Sequence, residues 1–96
     1  MGRRMLRKSL IILAFVTAAG SGASAQTRAQ TCNDLWLARN EIYKAQGYCF
    51  RTQRAIAAFG NAGCQYDNID DVPLSANDRR RVSGIVGQER DLGCPR

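Results

Sequence analysis

The strongest structural signal in the chain is carried by residues 33–50, NDLWLARNEIYKAQGYCF. Apolar side chains recur there at the spacing of one helix face: Leu35, Ala38 and Ile42. Polar residues fill much of the opposite face, as in an amphipathic helix. Asn33 or Asp34 can cap the helix at its start, and Gly47 is placed to end it. We therefore predict an amphipathic helix over residues 33–45.

Two further short helices are predicted downstream. Thr52 is a suitable N-cap for a second helix, which Gly60 ends. Ser75 and Asp78 have the spacing of a capping box at the start of a third, which Gly93 ends. The connection between these two helices shows no clear period, and no segment predicts a strand. The fold class is therefore all-α, a small three-helix domain.

The first quarter of the chain predicts export. Four basic residues precede position 10: Arg3, Arg4, Arg7 and Lys8. Residues 10–19 are almost wholly apolar, and Ala23-Ser24-Ala25 supplies the small residues that a signal peptidase recognises. The apolar run, about ten residues, is too short for a permanent membrane span. We predict a signal peptide over 1–25, a disordered leader over 26–31 and a helical domain over 32–96, in a periplasmic or secreted protein.

All the cysteines follow the predicted cleavage site: Cys32, Cys49, Cys64 and Cys94. They form no closely spaced pair, and the chain has no histidine, which argues against a structural zinc site. An even number of cysteines in an oxidising compartment predicts two disulfides. If successive helices run up, down and up, Cys32 pairs with Cys64 and Cys49 with Cys94. We favour this pairing, and the other two connectivities stay open.

The charge of the mature chain argues against nucleic acid as a partner. The full sequence has 14 basic and 8 acidic residues, but four of the basic ones lie in the predicted signal peptide. Ten basic residues then face eight acidic ones, a net charge of +2, which is not the charge of a nucleic-acid-binding domain. Arg79-Arg80-Arg81 is the only dense basic run, and we interpret it as a solvated helix face.

Several residues of the first helix and the turn after it resemble the YARHG domain, a small module of exported bacterial proteins. They are Leu35-Trp36, Arg39-Asn40-Glu41-Ile42-Tyr43 and Gly47-Tyr48-x-Phe50. The family's Tyr-Ala-Arg-His-Gly motif falls on residues 43–47, where only Tyr43 and Gly47 match. Leu74-Ser75-x-x-Asp78 and Glu89 are similar to the family's closing helix. The resemblance implies an extracytoplasmic accessory domain without an established activity.

The side chains present argue against catalysis. Without histidine there is no Ser-His-Asp or Cys-His system and no ordinary zinc-bound water. The acidic residues over 67–71 lack the alternation, glycine and closing glutamate of an EF-hand. We therefore predict no catalytic, cofactor or metal site.

The candidate binding residues are Tyr43, Tyr48 and Arg39. Trp36 and Phe50 are predicted to be core residues instead, and the expected partner of Arg39 is Glu41, Asp34 or a helix-end carbonyl. The favoured hypothesis is a non-enzymatic accessory module that binds an envelope protein or wall polymer. The alternative is a disulfide-stapled inhibitor of a periplasmic or foreign hydrolase. The sequence leaves the oligomeric state open.

Overall fold

The computed structural model describes residues 23–95, with side chains from residue 27 onward. The chain forms two units, Met1–Gln30 and Thr31–Arg96, and only positions 23–30 of the first are described. Most of the predicted signal peptide therefore lies outside the described residues, and its cleavage stays a prediction.

Helices form the regular structure over residues 23–95, as the sequence predicts. They are α1 (Ala23–Ala45), α2 (Gln53–Phe59), a one-turn 3-10 helix (Ile69–Asp71) and α3 (Ala76–Asp91). No strand occurs in this part of the chain, where β-type pairing is limited to an isolated parallel bridge between Tyr48 and Tyr66. None of these helices is long and apolar enough to cross a membrane.

Helix α1 begins ten residues before the predicted start at Asn33, so residues 26–31 are helical and not a disordered leader. The segment from 23 to 45 contains neither glycine nor proline, and its first turns are rich in Ala and Gln. Nothing in it stops a helix from extending upstream, because Ala, Gln and Arg have favourable helix propensities. Asn33 consequently lies inside the helix, where its Oδ1 accepts a hydrogen bond from Arg54 Nη2 at 2.8 Å.

The predicted helix ends are largely confirmed. Thr52 Oγ1 accepts a hydrogen bond from the Ala55 amide at 3.2 Å, and Ser75 Oγ accepts one from the Asp78 amide at 3.0 Å. Gly47 ends α1 with a φ of 90°, a left-handed conformation that favours glycine. Helix α3 ends two residues before Gly93, at Asp91.

All four cysteines form disulfides, as predicted, but the predicted pairing is wrong. Cys32 pairs with Cys94, and Cys49 pairs with Cys64. The seven residues of α2 span only about 10 Å, too little to return the chain along the roughly 20 Å of α1 that follows Cys32. Residues 64–66 instead return to the turn after α1, where the Cys49 amide donates to the Tyr66 carbonyl at 2.8 Å.

The direction of α3 explains the other disulfide. Glu89 lies beside Arg39, and the later residue Cys94 is bonded to the earlier residue Cys32. The chain beyond Glu89 therefore runs toward the N-terminal part of α1. The two helices are therefore antiparallel, whereas an up-down-up arrangement would have made them parallel. This reversal brings the last cysteine to the beginning of the domain.

The core is small and largely aromatic. Its buried apolar residues are Ile42, Phe50, Ala55, Val72 and Cys94. A row of aromatic rings runs beside them, with successive centroids 5.1–5.9 Å apart: Trp36, Phe59, Phe50, Tyr48 and Tyr43. The prediction that Phe50 is a core residue is confirmed. Trp36 is only half-buried, because one face of its indole is covered by the Arg54 guanidinium and not by the core.

Candidate binding site

A buried ion pair joins α1 to α3. Arg39 Nε donates to Glu89 Oε1 at 2.8 Å, and Arg39 Nη2 donates to Glu89 Oε2 at 3.0 Å. Glu89 is only 1% exposed, so this bidentate contact supplies the partner that a buried carboxylate requires. Arg39 was predicted to pair with Asp34, Glu41 or a helix-end carbonyl, and this is wrong. Positions 39 and 41 of a helix do not face each other.

A set of hydrogen bonds holds the turn that follows α1. The Gly47 carbonyl accepts hydrogen bonds from the Gln65 and Tyr66 amides at 2.7 and 3.0 Å. Asn61 completes the arrangement on the other side of the chain. Its Oδ1 accepts from the Phe50 amide at 2.7 Å, and its Nδ2 donates to the Phe50 carbonyl at 2.9 Å. The turn is thereby held in place by backbone contacts in addition to the Cys49–Cys64 disulfide.

Between α1, the turn and α2 lies an open groove of about 450 Å³. We call it the arginine groove, because three arginines line it: Arg39, Arg51 and Arg54. Four large apolar or aromatic side chains also line the groove: Trp36, Tyr48, Phe50 and Ile69. No acidic side chain is among the described residues that line the groove. Its volume falls within the range of sites that hold small ligands.

The three arginines differ in what they already contact. Arg39 is held by Glu89. The Arg54 guanidinium carbon lies 3.7 Å from the centroid of the Trp36 ring, a cation–π stack that fixes it against the groove wall. Arg51 is exposed and has no ion-pair or hydrogen-bond partner among the described residues. Of these three, Arg51 is therefore the arginine whose whole guanidinium is available to a ligand.

Tyr48 separates the arginine groove from a second depression. It lines both, and the second has a volume of about 390 Å³ with mainly polar walls that include Lys44, Gln46 and Gln65. The predicted binding residues Tyr48 and Arg39 thus meet in the arginine groove. Tyr43 does not line it, although its ring lies 5.9 Å from that of Tyr48.

Tyr43 lines a third, more apolar depression of about 330 Å³, between the 3-10 helix and α3. Burial raises the pKa of the Tyr43 hydroxyl above its ordinary value, and the nearby charges of Asp70 and Tyr48 act in the same direction. The positive charge of Arg39 opposes this shift. The hydroxyl is therefore held in its neutral form.

The sequence prediction missed Arg51, Arg54 and Ile69 as groove residues. Arg51 and Arg54 flank the N-cap Thr52, and in the sequence they have the pattern of an ordinary exposed helix start. Ile69 lies in the irregular connection, where it is 43% exposed. The only available signal was an arginine pair beside an aromatic Tyr-Cys-Phe segment, which does not reveal a shared groove.

The described residues contain no arrangement that suggests metal binding. No group of three or more Cys, Asp or Glu side chains in this part of the chain could hold a metal ion. Within the acidic segment over 67–71, Asn68 Oδ1 accepts from the Asp70 amide at 3.0 Å and so caps the 3-10 helix.

Comparison with protein families adds the decisive observation. A family model described as the YARHG domain matches residues 9–90. The chain belongs to the YARHG domain family. No curated protein and no solved structure matches it. This membership indicates an exported accessory domain, which the two disulfides fit.

The structure gives the two matching motif residues of this YARHG domain clear roles. The Tyr43 carbonyl accepts hydrogen bonds from the Gln46 and Tyr48 amides at 3.1 and 3.2 Å, which closes the end of α1. Gly47 supplies the left-handed turn. At the second motif position, Lys44 Nζ donates to the Gly60 carbonyl at 3.2 Å. These contacts stabilise the turn that forms one side of the arginine groove.

Proposed function

We propose that this YARHG domain is a non-catalytic binding module of the bacterial cell envelope, with an anionic envelope protein or wall component held in the arginine groove. The observation that carries the proposal is the guanidinium of Arg51, which has no ion-pair partner among residues 23–95, in a groove that no described acidic side chain lines. A desolvated anion in such a groove forms charge-assisted hydrogen bonds, which are stronger than neutral ones.

Rigidity of the groove supports a role in binding. Arg39 is oriented by Glu89, and Arg54 is oriented by Trp36 and Asn33. The turn that contributes Tyr48 and Phe50 is tied down by the Cys49–Cys64 disulfide and by Asn61. A site that is already ordered loses little conformational entropy when it binds, so more of the contact energy contributes to affinity.

The available chemistry supports a non-catalytic role. The chain has no histidine, and all four cysteines are oxidised. Its resolved pKa shift, that of Tyr43, favours a neutral hydroxyl outside the arginine groove. The alternative role as a hydrolase inhibitor stays a prediction.

The test is co-sedimentation of the exported, oxidised protein with isolated bacterial cell envelopes, with two charge reversals compared. Arg51→Glu changes the groove. Arg80→Glu makes the same change in net charge on an exposed position of α3, where Arg80 has a single long contact with Asn77 at 3.5 Å. We expect Arg51→Glu to weaken retention about tenfold while Arg80→Glu sediments like the wild type. Added poly-L-glutamate should release the wild-type protein from the envelopes.

Two outcomes would contradict the proposal. Equal weakening by both reversals would mean that net charge and not the groove attracts the protein to the envelope. A wild-type protein that fails to sediment at low salt would mean that the domain has no envelope partner of this kind, because low ionic strength strengthens such contacts.

A further inference from the structure

We infer that the ligand of the arginine groove is a short peptide segment in which a carboxylate stands beside an apolar side chain. The inference rests on the proposed function and identifies its ligand class. It depends on the fact that cationic and apolar surfaces lie within one groove of about 450 Å³.

The cationic half of the groove suits a carboxylate. Arg51 presents an unpaired guanidinium, whose planar fork matches the two oxygens of a carboxylate. Arg39 already donates from its Nε and Nη2 to Glu89, so its charge is compensated and its bidentate edge is occupied. The groove therefore offers one complete guanidinium fork, a match for one carboxylate.

The apolar side chains that line the groove favour a second contact, with an uncharged side chain of the ligand. Ile69 is 43% exposed at the groove wall, and the Tyr48 ring lies edge-on to Phe50 with 5.1 Å between centroids. An apolar ligand side chain on this surface would remove Ile69 from water, which is favourable in proportion to the area covered. Recognition thus couples an ion pair to a hydrophobic contact.

This combination favours a peptide over the other anionic polymers of an envelope. A polyphosphate or a sulfated glycan carries a charge on every unit, so it would leave Ile69 and the rings without an apolar partner. Arg39 is neutralised by Glu89, and Arg54 is already stacked on Trp36 and bonded to Asn33, so among the described arginines that line the groove a second anion would meet no guanidinium whose N–H groups are all unused. Neighbouring acidic and apolar residues in a peptide satisfy both halves at once.

The experiment is a peptide array probed with the oxidised, exported protein. Acetylated, amidated hexapeptides carry every possible central pair of residues within a Gly-Ser background. Inorganic polyphosphate serves as competitor. We expect pairs of Asp or Glu with Leu, Ile or Phe to bind about tenfold more strongly than the matching Asn or Gln pairs. Quenching or enhancement of Trp36 fluorescence, the chain's single tryptophan, then reports the affinity of selected peptides in solution.

Three variants show which groove residue causes the acidic preference and which causes the apolar preference. Arg51→Gln should abolish the preference for acid over amide and retain the apolar preference. Ile69→Ser should do the reverse. Arg80→Gln is the surface control and should bind like the wild type. Ile69 is exposed, so its replacement should leave the fold intact, which circular dichroism checks.

The possible outcomes separate this inference from the proposed function. If envelope sedimentation depends on Arg51 but the array shows no acidic–apolar preference, the ligand class is wrong and the anion-binding function stands. If polyphosphate displaces a preferred peptide in wild type and binds more tightly than any peptide, the inference is also overturned. If Arg51→Gln changes neither sedimentation nor the array pattern, both proposals fail.

Discussion

The two disulfides hold parts of the domain that depend on them to different extents. Cys32–Cys94 closes a separation of 62 residues and joins α1 to the segment after α3, beside the Arg39–Glu89 ion pair between the two helices. Cys49–Cys64 closes only 15 residues, in a region that backbone hydrogen bonds also hold together. We therefore expect the longer closure to contribute more to stability than the shorter one.

The largest effect should come from removing the long-range disulfide. By loop-closure entropy, replacing Cys32 and Cys94 with serine costs about 4 kcal/mol of unfolding free energy, against about 3 kcal/mol for the same change at Cys49 and Cys64. We further expect the first double variant to lose the α1–α3 contact, while the second keeps its turn through Asn61 and Gly47. Urea unfolding followed by circular dichroism measures both. A more damaging loss of Cys49–Cys64 would reverse the comparison.

An intermediate effect should come from Glu89→Gln. The amide keeps the shape of the carboxylate but removes its charge, so Arg39 loses a buried partner, at a cost of about 3 kcal/mol. Asp78→Asn is the matched control, because Asp78 pairs with an exposed Arg81 at 3.2 Å, and such surface pairs contribute less than about 1 kcal/mol. Chemical denaturation of both variants with the disulfides intact gives the difference. Equal costs would show that the buried pair adds nothing to the disulfide beside it.

The smallest effect should be a pH dependence of the unfolding free energy that comes from Tyr43, near the C-terminal end of α1. Burial raises the pKa of Tyr43 above the unfolded value of 10.0, so the folded state retains its proton where the unfolded state has lost it. Stability is therefore complete below about pH 10 and declines as pH rises beyond it. Tyr43→Phe should flatten this decline, and Tyr66→Phe is the control. Urea midpoints measured on both sides of pH 10 test it, and an unchanged slope in Tyr43→Phe would contradict it.

The features that the sequence predicts well are those encoded by neighbouring residues. Thr52 and Ser75 cap their helices and Gly47 ends α1 because each acts on backbone groups within a few positions. The missed start of α1 is also a local matter, since a suitable cap at Asn33 does not stop a helix when no breaker precedes it. Residues 26–31 contain no helix breaker, so the helix continues through them.

The other failed predictions depend on how distant segments meet. The disulfide pairing followed from an assumed direction for α3, and the partner of Arg39 lies fifty positions along the chain. The arginine groove combines Arg51 from the start of α2 with Ile69 from an irregular connection. No period or spacing in the sequence links such residues. Their proximity follows only from the path of the chain, which returns to the turn after α1 at residues 64–66.

The position of the Cys32–Cys94 bond also determines how the domain bears mechanical load. The Cα atoms of these two cysteines are 5.5 Å apart, at the two boundaries of the helical domain. Tension applied between the segments before Cys32 and after Cys94 therefore passes through one covalent bridge. The part of α1 after Cys32, the other helices and the arginine groove lie outside that path. A tethered copy under such pulling keeps its binding surface unstrained for as long as the bridge is oxidised.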